Sequence, residues 1–278
     1  MLSLALALGG CSALKLGYNS LPEVAFWWLG RYVDLEGEQR RLVRDDLHRL
    51  LAWHRGAELP RLAALLHRIE QQAAGDTTAE RVCAFEGDLR DRYLALREHA
   101  EPMIAAHATT LTVAQLQQLE RRYQRNQRDY ERDWLRLSRD EQVDKRLKQW
   151  RERAERFYGH LGEEQVAALR RQLEASDFSP ALFHAERRRR RQDTLAGLRE
   201  LASQPAPPEQ ARAAVHGLLE RFGQSPDPDW RQWQQAQVQE TCRLVAALHN
   251  AATPEQRERA AQRLRGWQRD LADLSADR

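Results

Sequence analysis

The chain has 278 residues, of which 31% are charged, and its 44 basic and 41 acidic side chains leave a formal net charge of +3. That near balance excludes a strongly single-signed field for steering nucleic acid. Beyond the first residues, no run approaches the ~18 apolar positions a spanning helix needs. Arginine supplies almost all the positive charge, since Lys15, Lys145 and Lys148 are the only lysines.

The chain begins with an apolar run over residues 1–8, followed by Leu8-Gly9-Gly10-Cys11-Ser12. A leucine and two small residues before a cysteine form the cleavage pattern of a bacterial lipoprotein signal. The expectation is a signal peptide over residues 1–10, a lipidated Cys11 and a tether over residues 11–20. Two or three acyl chains on one cysteine suffice for stable anchoring. Ser12 is not the aspartate that retains lipoproteins in the inner membrane, which favours the periplasmic face of the outer membrane. The alternative is that residues 1–8 are the apolar lip of a cytosolic chain. Cys83 and Cys242 remain, as a disulfide or as two separate buried thiols. No CxxC redox or zinc arrangement is present.

Strand signals are nearly absent, while Ala, Leu, Arg, Gln and Glu dominate, so the predicted fold is all-α. Helices are expected over residues 22–35, 37–55, 60–74 and 78–99, the last with Thr77 three residues before Glu80 as a start signal. Thr112 precedes Gln115 in the same way and opens a helix to residue 137, with Leu116, Leu119, Tyr123, Tyr130 and Leu137 in one seam, Asn126 within it and Trp134 beside it. Ser138 precedes Glu141, and the seam continues through Val143, Leu147, Trp150, Ala154, Phe157 and Leu161. These two helices should each be roughly 35 Å long. Further helices are expected over 163–175, 180–202, 208–222, 229–250 and 254–274, with Pro180 and Pro254 at first helical positions. Stripes of this kind need partners, so an elongated multi-helix bundle or array of long antiparallel amphipathic helices follows. The main helical domain covers residues 21–203. A Pro-rich break at residues 204–208 precedes C-terminal helices over 209–278, packed on the main domain.

Two stretches carry candidate contacts. Phe26, Trp27 and Trp28 lie soon after Cys11 and point to both sides of a helix, which suits either the lipid headgroup layer or a sandwiched position in the bundle. Arg187, Arg188, Arg189, Arg190 and Arg191 fan around every face of one helix, with Glu186 and Asp193 as partial counter-charges. They offer contact to anionic lipid heads or cell-wall polymers, or else a solvated helix face. His48 and His54 are six apart, so they form no local metal pair. No HExxH, EF-hand, P-loop or Gly-x-Ser-x-Gly motif occurs, and the residues imply no catalysis, cofactor, metal or small-molecule substrate.

Cys11 to Asn19, then Trp27-Trp28-Leu29, Tyr32-Val33-Asp34-Leu35, Trp53-His54-Arg55 and Glu58-Leu59-Pro60, resemble a family of proteobacterial lipoproteins catalogued as a domain of unknown function (number 6279). Leu111 to Gln115 and Arg153 to Gly159 fit it too. The resemblance implies a lipid-anchored helical envelope protein without established activity. Leu111 to Gln115 is also similar to the Leu-Thr-x-x-Gln signature of Spy- and CpxP-type periplasmic helical proteins. Leu161 to Gln165 echoes that signature with glycine for threonine, and Thr253 to Gln256 keeps its tail. The expected function is contact with an envelope protein or the cell wall, as an adaptor or maintenance factor. A Spy-like chaperone or stress modulator is the second expectation, and a cell-wall-acting enzyme the third.

Overall fold

Side-chain caps open several helices of this chain, among them those that begin after Thr78, Thr112 and Ser138. The computed structural model describes residues 13–203 and 207–276, and among them every regular element is helical. The first five helices are α1 (Ala13–Asn19), α2 (Leu21–Gly30), α3 (Gly37–Ala57), α4 (Leu59–Gln72) and α5 (Ala79–Ala108). α6 (Val113–Tyr130) runs into a π-helical turn over Glu131–Leu135, followed by α7 (Arg139–Tyr158) and α8 (Glu163–Glu174). The last four are α9 (Pro180–Ser203), α10 (Pro208–Gly223), α11 (Pro228–Asn250) and α12 (Pro254–Ala276). The fold is an all-α array of antiparallel helices. Cys11 and the signal segment lie outside the described residues.

Several expected boundaries change, each for a local reason. Residues 13–19 are not a loose tether. They form α1, because Leu14 and Tyr18 pack against Leu59, Leu271 and Leu274. α2 stops at Gly30 instead of running to residue 35. The cap of α5 is Thr78, whose hydroxyl accepts from the Arg81 N–H at 3.4 Å, one position later than the Thr77 signal. α5 also continues past His99 through Pro102, although proline removes a helix donor. Burial of Ala105 and Ala108 against Ala211 and Val215 of α10 accompanies this continuation. The α6 seam ends at Tyr130, where the π turn takes over. Gly159 ends α7 at φ 81°, a left-handed value that glycine adopts without strain.

The packing follows from which faces are apolar. α5, 30 residues and about 45 Å long, is shared by two groups of helices. Its N-terminal half packs antiparallel to α11, with the Thr77 N–H donating to Asn250 Oδ1 at 2.9 Å and Cys83 bonded to Cys242. Its C-terminal half packs on α10, where the Glu101 carboxylate accepts from Arg212 and pairs with His216. α12 lies antiparallel on α4, burying Leu59, Ala73, Ala261, Leu264, Leu271 and Leu274 along the contact. α7 and α8 form a hairpin around Val143, Leu147, Leu169 and Leu173. The helices after the Pro-rich break are therefore interleaved with the earlier ones: α10 packs on α5 and α9, and α12 on α4 and α7.

Four glutamines close helix starts and join them in pairs. Gln115 Oε1 accepts from the Thr112 N–H at 2.9 Å, and its Nε2 donates to Asp34 O and Gln39 Oε1, both at 2.7 Å. Gln39 returns the contact by donating to Thr110 O at 2.8 Å while accepting from the Glu36 N–H at 3.3 Å. Gln165 and Gln256 repeat the arrangement. Gln165 caps Gly162 and donates to Ala251 O at 2.8 Å, and Gln256 caps Thr253 and donates to His160 O at 2.7 Å. One amide thus satisfies an orphan N–H of its own helix and a loop carbonyl before its partner.

Candidate functional site

The space between α5 and α7, floored by α11, is not filled by side chains. The gap forms two compartments of about 600 Å³ and about 420 Å³, which meet at Val82 and Glu86 of α5. Both volumes fall in the ~300–1,000 Å³ range usual for ligand sites. From Trp230 to His249, α11 lines the trough over about 28 Å.

The larger compartment is aromatic. The π turn contributes to it: by widening the helix after Tyr130 it carries Trp134, which lines the same wall. Turns of this type leave carbonyls free, and here side chains take them up. Lys145 Nζ donates to Asp133 O at 2.6 Å and sits 4.6 Å from the Trp134 ring centroid. Opposite, the buried Trp230 packs against Phe183 and Trp233, with centroids 5.9 and 4.9 Å apart. Phe178 and Trp150 complete the aromatic lining.

Three guanidinium groups reach into this compartment, and their environments differ. Arg146 donates to Ser176 Oγ at 2.9 Å and Glu240 at 3.2 Å, and stacks 4.5 Å from the Phe178 centroid. Burial is the main reason its pKa lies below the ordinary arginine value. Arg190 donates to Glu186 at 2.7 Å. Arg187 lies over Tyr130 at 5.0 Å and Phe183 at 5.7 Å, and among the described residues it is in no ion pair. Burial pushes the Tyr130 hydroxyl up to about 12, against the opposing pull of Arg187. Tyr130 is therefore a neutral ring beneath a cation.

The Arg187–Arg191 run is neither a solvated helix face nor one anion-binding patch. Arg189 and Arg190 both bind the buried Glu186, which also accepts from Ser225 at 3.0 Å. Burial opposes ionisation of Glu186, but those hydrogen bonds outweigh it and hold its carboxyl below the usual range. Arg191 donates to Tyr123 O at 3.2 Å. Only Arg188 is fully exposed. Glu186 and Asp193 lie on the same helix, α9, whereas the other contacts of the run, to α6, α10 and α11, could not be shown by local sequence.

The smaller compartment is more apolar, walled by Ile69, Phe85, Phe157, Val245, Leu248 and Leu264. At its edge His249 Nε2 donates to Gly75 O at 2.9 Å. That leaves Nδ1 to accept from the Tyr158 hydroxyl, also at 2.9 Å. Burial raises Tyr158 to about 12, so its hydroxyl keeps its proton at neutral pH. The Cys83–Cys242 bond, with Cα atoms 5.5 Å apart, ties the floor helix to the α5 wall, with Cys242 lining the larger compartment.

The early aromatic stretch behaves differently. Trp27 and Trp28 are 62% and 50% exposed, alongside Leu21 and Val24. Phe26 turns inward and lies under Arg44, 4.2 Å from its ring centroid. The sandwiched arrangement therefore does not hold for the two tryptophans. The remaining motif residues are structural. Tyr18 shares a 2.9 Å hydrogen bond with His54, Arg55 donates to Asn19 at 2.8 Å, and Trp53 stacks on His99 at 4.0 Å. Glu58 is fully buried and accepts from Arg61 and Arg92. Gln115 is the centre of the first glutamine junction. A family model described as a family of unknown function (DUF6279) matches residues 31–208. The chain belongs to this family. No curated protein matches the chain, and no solved structure does. For this DUF6279 member, no group of three or more His, Cys, Asp or Glu residues suited to a metal ion occurs among the described residues.

Proposed function

We propose that this DUF6279 member is an envelope lipoprotein, tethered through an acylated Cys11 on the periplasmic face of the outer membrane, that acts by contact and without catalysis. The observation that supports this reading is the open apolar face of α2. Leu21, Val24, Trp27 and Trp28 are exposed on a helix that begins ten residues after Cys11, and Leu16 of α1 adds to them. Tryptophan favours the headgroup layer, where its ring is half apolar and its N–H remains wet. Arg31, stacked 5.1 Å from the Trp27 centroid, would meet anionic heads at the same level. No helix of the described residues is long and apolar enough to cross a membrane. An acyl anchor plus an interfacial helix gives two attachment signals. The rest of the array would then face outward toward an envelope protein or cell-wall polymer.

The test combines anchor and face. Metabolic labelling with a palmitate analogue should mark the chain and disappear with Cys11→Ser. In the Cys11→Ser background, Trp27→Ser with Trp28→Ser should weaken binding to anionic vesicles roughly fivefold to tenfold. Undiminished labelling of Cys11→Ser would remove the tether, and unchanged vesicle binding would remove the interfacial role of α2.

A further inference from the structure

The trough between α5, α7 and α11 has a polarity gradient that names its occupant. At one end, aromatic rings surround Arg187, a guanidinium with no carboxylate partner among the described residues. At the other end the walls are aliphatic and phenyl groups around Val245 and Leu248. We propose that this trough binds a single long acyl chain carrying a carboxylate, with Arg187 holding the carboxylate and the chain lying along α11 toward Leu248. This site stands apart from the tether of Cys11 and does not depend on it.

The unpartnered guanidinium points to an anionic head. Arg146 pairs with Glu240, and Arg190 shares Glu186 with Arg189, so among the described residues Arg187 is the one guanidinium lining the aromatic compartment with no carboxylate partner. A phosphate head carries about −1.5 to −2 charges near neutral pH, more than the single charge of Arg187. A carboxylate matches one guanidinium fork through two parallel hydrogen bonds. Glu86, exposed at the junction of the compartments, repels an anionic head from the middle of the trough and so orients the ligand. Arg153 touches the far compartment but is exposed at its rim, outside the apolar walls.

The length and lining also argue for a chain over a peptide. The trough is walled by helices, whose backbone groups are already bonded within each helix, so it offers no free strand edge to a peptide backbone. Its inner surface instead supplies the continuous apolar contact that an acyl tail buries, with about 0.8 kcal/mol available per methylene. Arg187 is a binding residue in this reading, and the ligand is held without being transformed.

Titration of the Cys11→Ser chain with palmitate, read by the fluorescence of Trp134, Trp150, Trp230 and Trp233, tests the proposal. Saturable one-to-one binding is expected, with the hexadecyltrimethylammonium cation binding at least tenfold more weakly. Arg187→Gln should reduce palmitate affinity roughly tenfold or more, the usual worth of a charge-assisted hydrogen bond. Thr241→Trp, which fills the floor at an exposed position, should block binding while leaving the circular dichroism spectrum intact. Equal binding of the cation and palmitate by the unmodified trough overturns the assignment without any trough variant. So does displacement of the signal by an apolar peptide but not by palmitate, which would mark a client-binding groove. Lysophosphatidate binding tightly where palmitate does not would overturn the carboxylate as the head.

Discussion

The Gln39–Gln115 and Gln165–Gln256 junctions use one device in two settings. In both, a glutamine at the third helical position caps its own helix and donates to the loop before the other. Around the second junction, Leu161, Ala252 and Ala260 are buried, and the nearby Tyr158–His249–Gly75 chain and the Cys83–Cys242 bond hold α4, α5, α7 and α11 in place. Around the first, Val113 is 72% exposed, and the adjoining α2 presents its tryptophans to solvent. Identical hydrogen bonds therefore fix helix ends in both places, while resistance to opening comes from what surrounds them. Local opening should start at the first junction.

The largest expected effect comes from removing the covalent tie. Replacing Cys83 and Cys242 by serine frees a segment with a sequence separation of 159. That should cost about 2–5 kcal/mol. In a thermal melt the midpoint should fall, and hydrogen exchange should accelerate at Gln165 and Gln256 far more than at Gln39 and Gln115. Equal acceleration at both junctions would erase the contrast drawn between them.

Next comes the amide device itself. Gln256→Ala and Gln115→Ala each strand a cap N–H and a loop carbonyl, at about 1–3 kcal/mol apiece. Denaturant unfolding of Gln165→Ala with Gln256→Ala should reveal a coupling of about 0.5–1.5 kcal/mol, whereas Gln115→Ala with Gln256→Ala should be additive. Coupling across the two junctions would show that they are one unit.

The smallest effect is a pH dependence confined to the half that holds the first junction. There Glu101 of α5 meets Arg212 and His216 of α10, with Glu220 and Arg97 nearby. The hydrogen bond that His216 donates to the Glu101 carboxylate, together with that carboxylate's charge, raises His216 above 6.5. Its contribution is complete below that value and fades as pH climbs through the higher folded value. Burial disfavours the Glu101 carboxylate, but His216 and Arg212 outweigh this and lower it below 4.5, so its contribution is present above 4.5 and fades on acidification. The contact is firmest between about 4.5 and 6.5. The melting difference between the unmodified chain and His216→Asn should shrink as pH is raised above neutral. A difference that is flat with pH would contradict the charged pairing.

Much of the array is written locally. Thr112, Ser138 and Thr253 open helices because a capping box needs only residues three apart, and Leu116, Leu119, Val143, Leu147 and Ala154 are buried where the helical period puts them. The departures have non-local causes. Pro102 is tolerated within a helix whose far face is bound by α10, and α1 forms where α12 offers Leu271 and Leu274. The trough could not be read in advance, because Tyr130, Phe183 and Trp230 come from three distant segments. A signal was present nonetheless: Trp230 and Trp233 are three apart on a helix that is otherwise mostly polar there, and Tyr130 and Trp134 are four apart in the same kind of setting. Such pairs do not belong on a solvated face. The Arg187–Arg191 run misleads for the converse reason: its counter-charges Glu186 and Asp193 are local, but the rings of Tyr123, Tyr130 and Phe222 that its guanidinium groups lie over arrive from elsewhere.

The seating of α12 on α4 has a consequence for how the molecule comes into being. α4 emerges with Leu59 and Leu66 bare, and α12, which covers much of it, is made long afterwards. The growing polypeptide must keep those leucines from premature association until α12 arrives. Nascent chains halted before Pro254 should therefore be protease-sensitive and prone to clump, because this part of the array closes only when α12 meets α4.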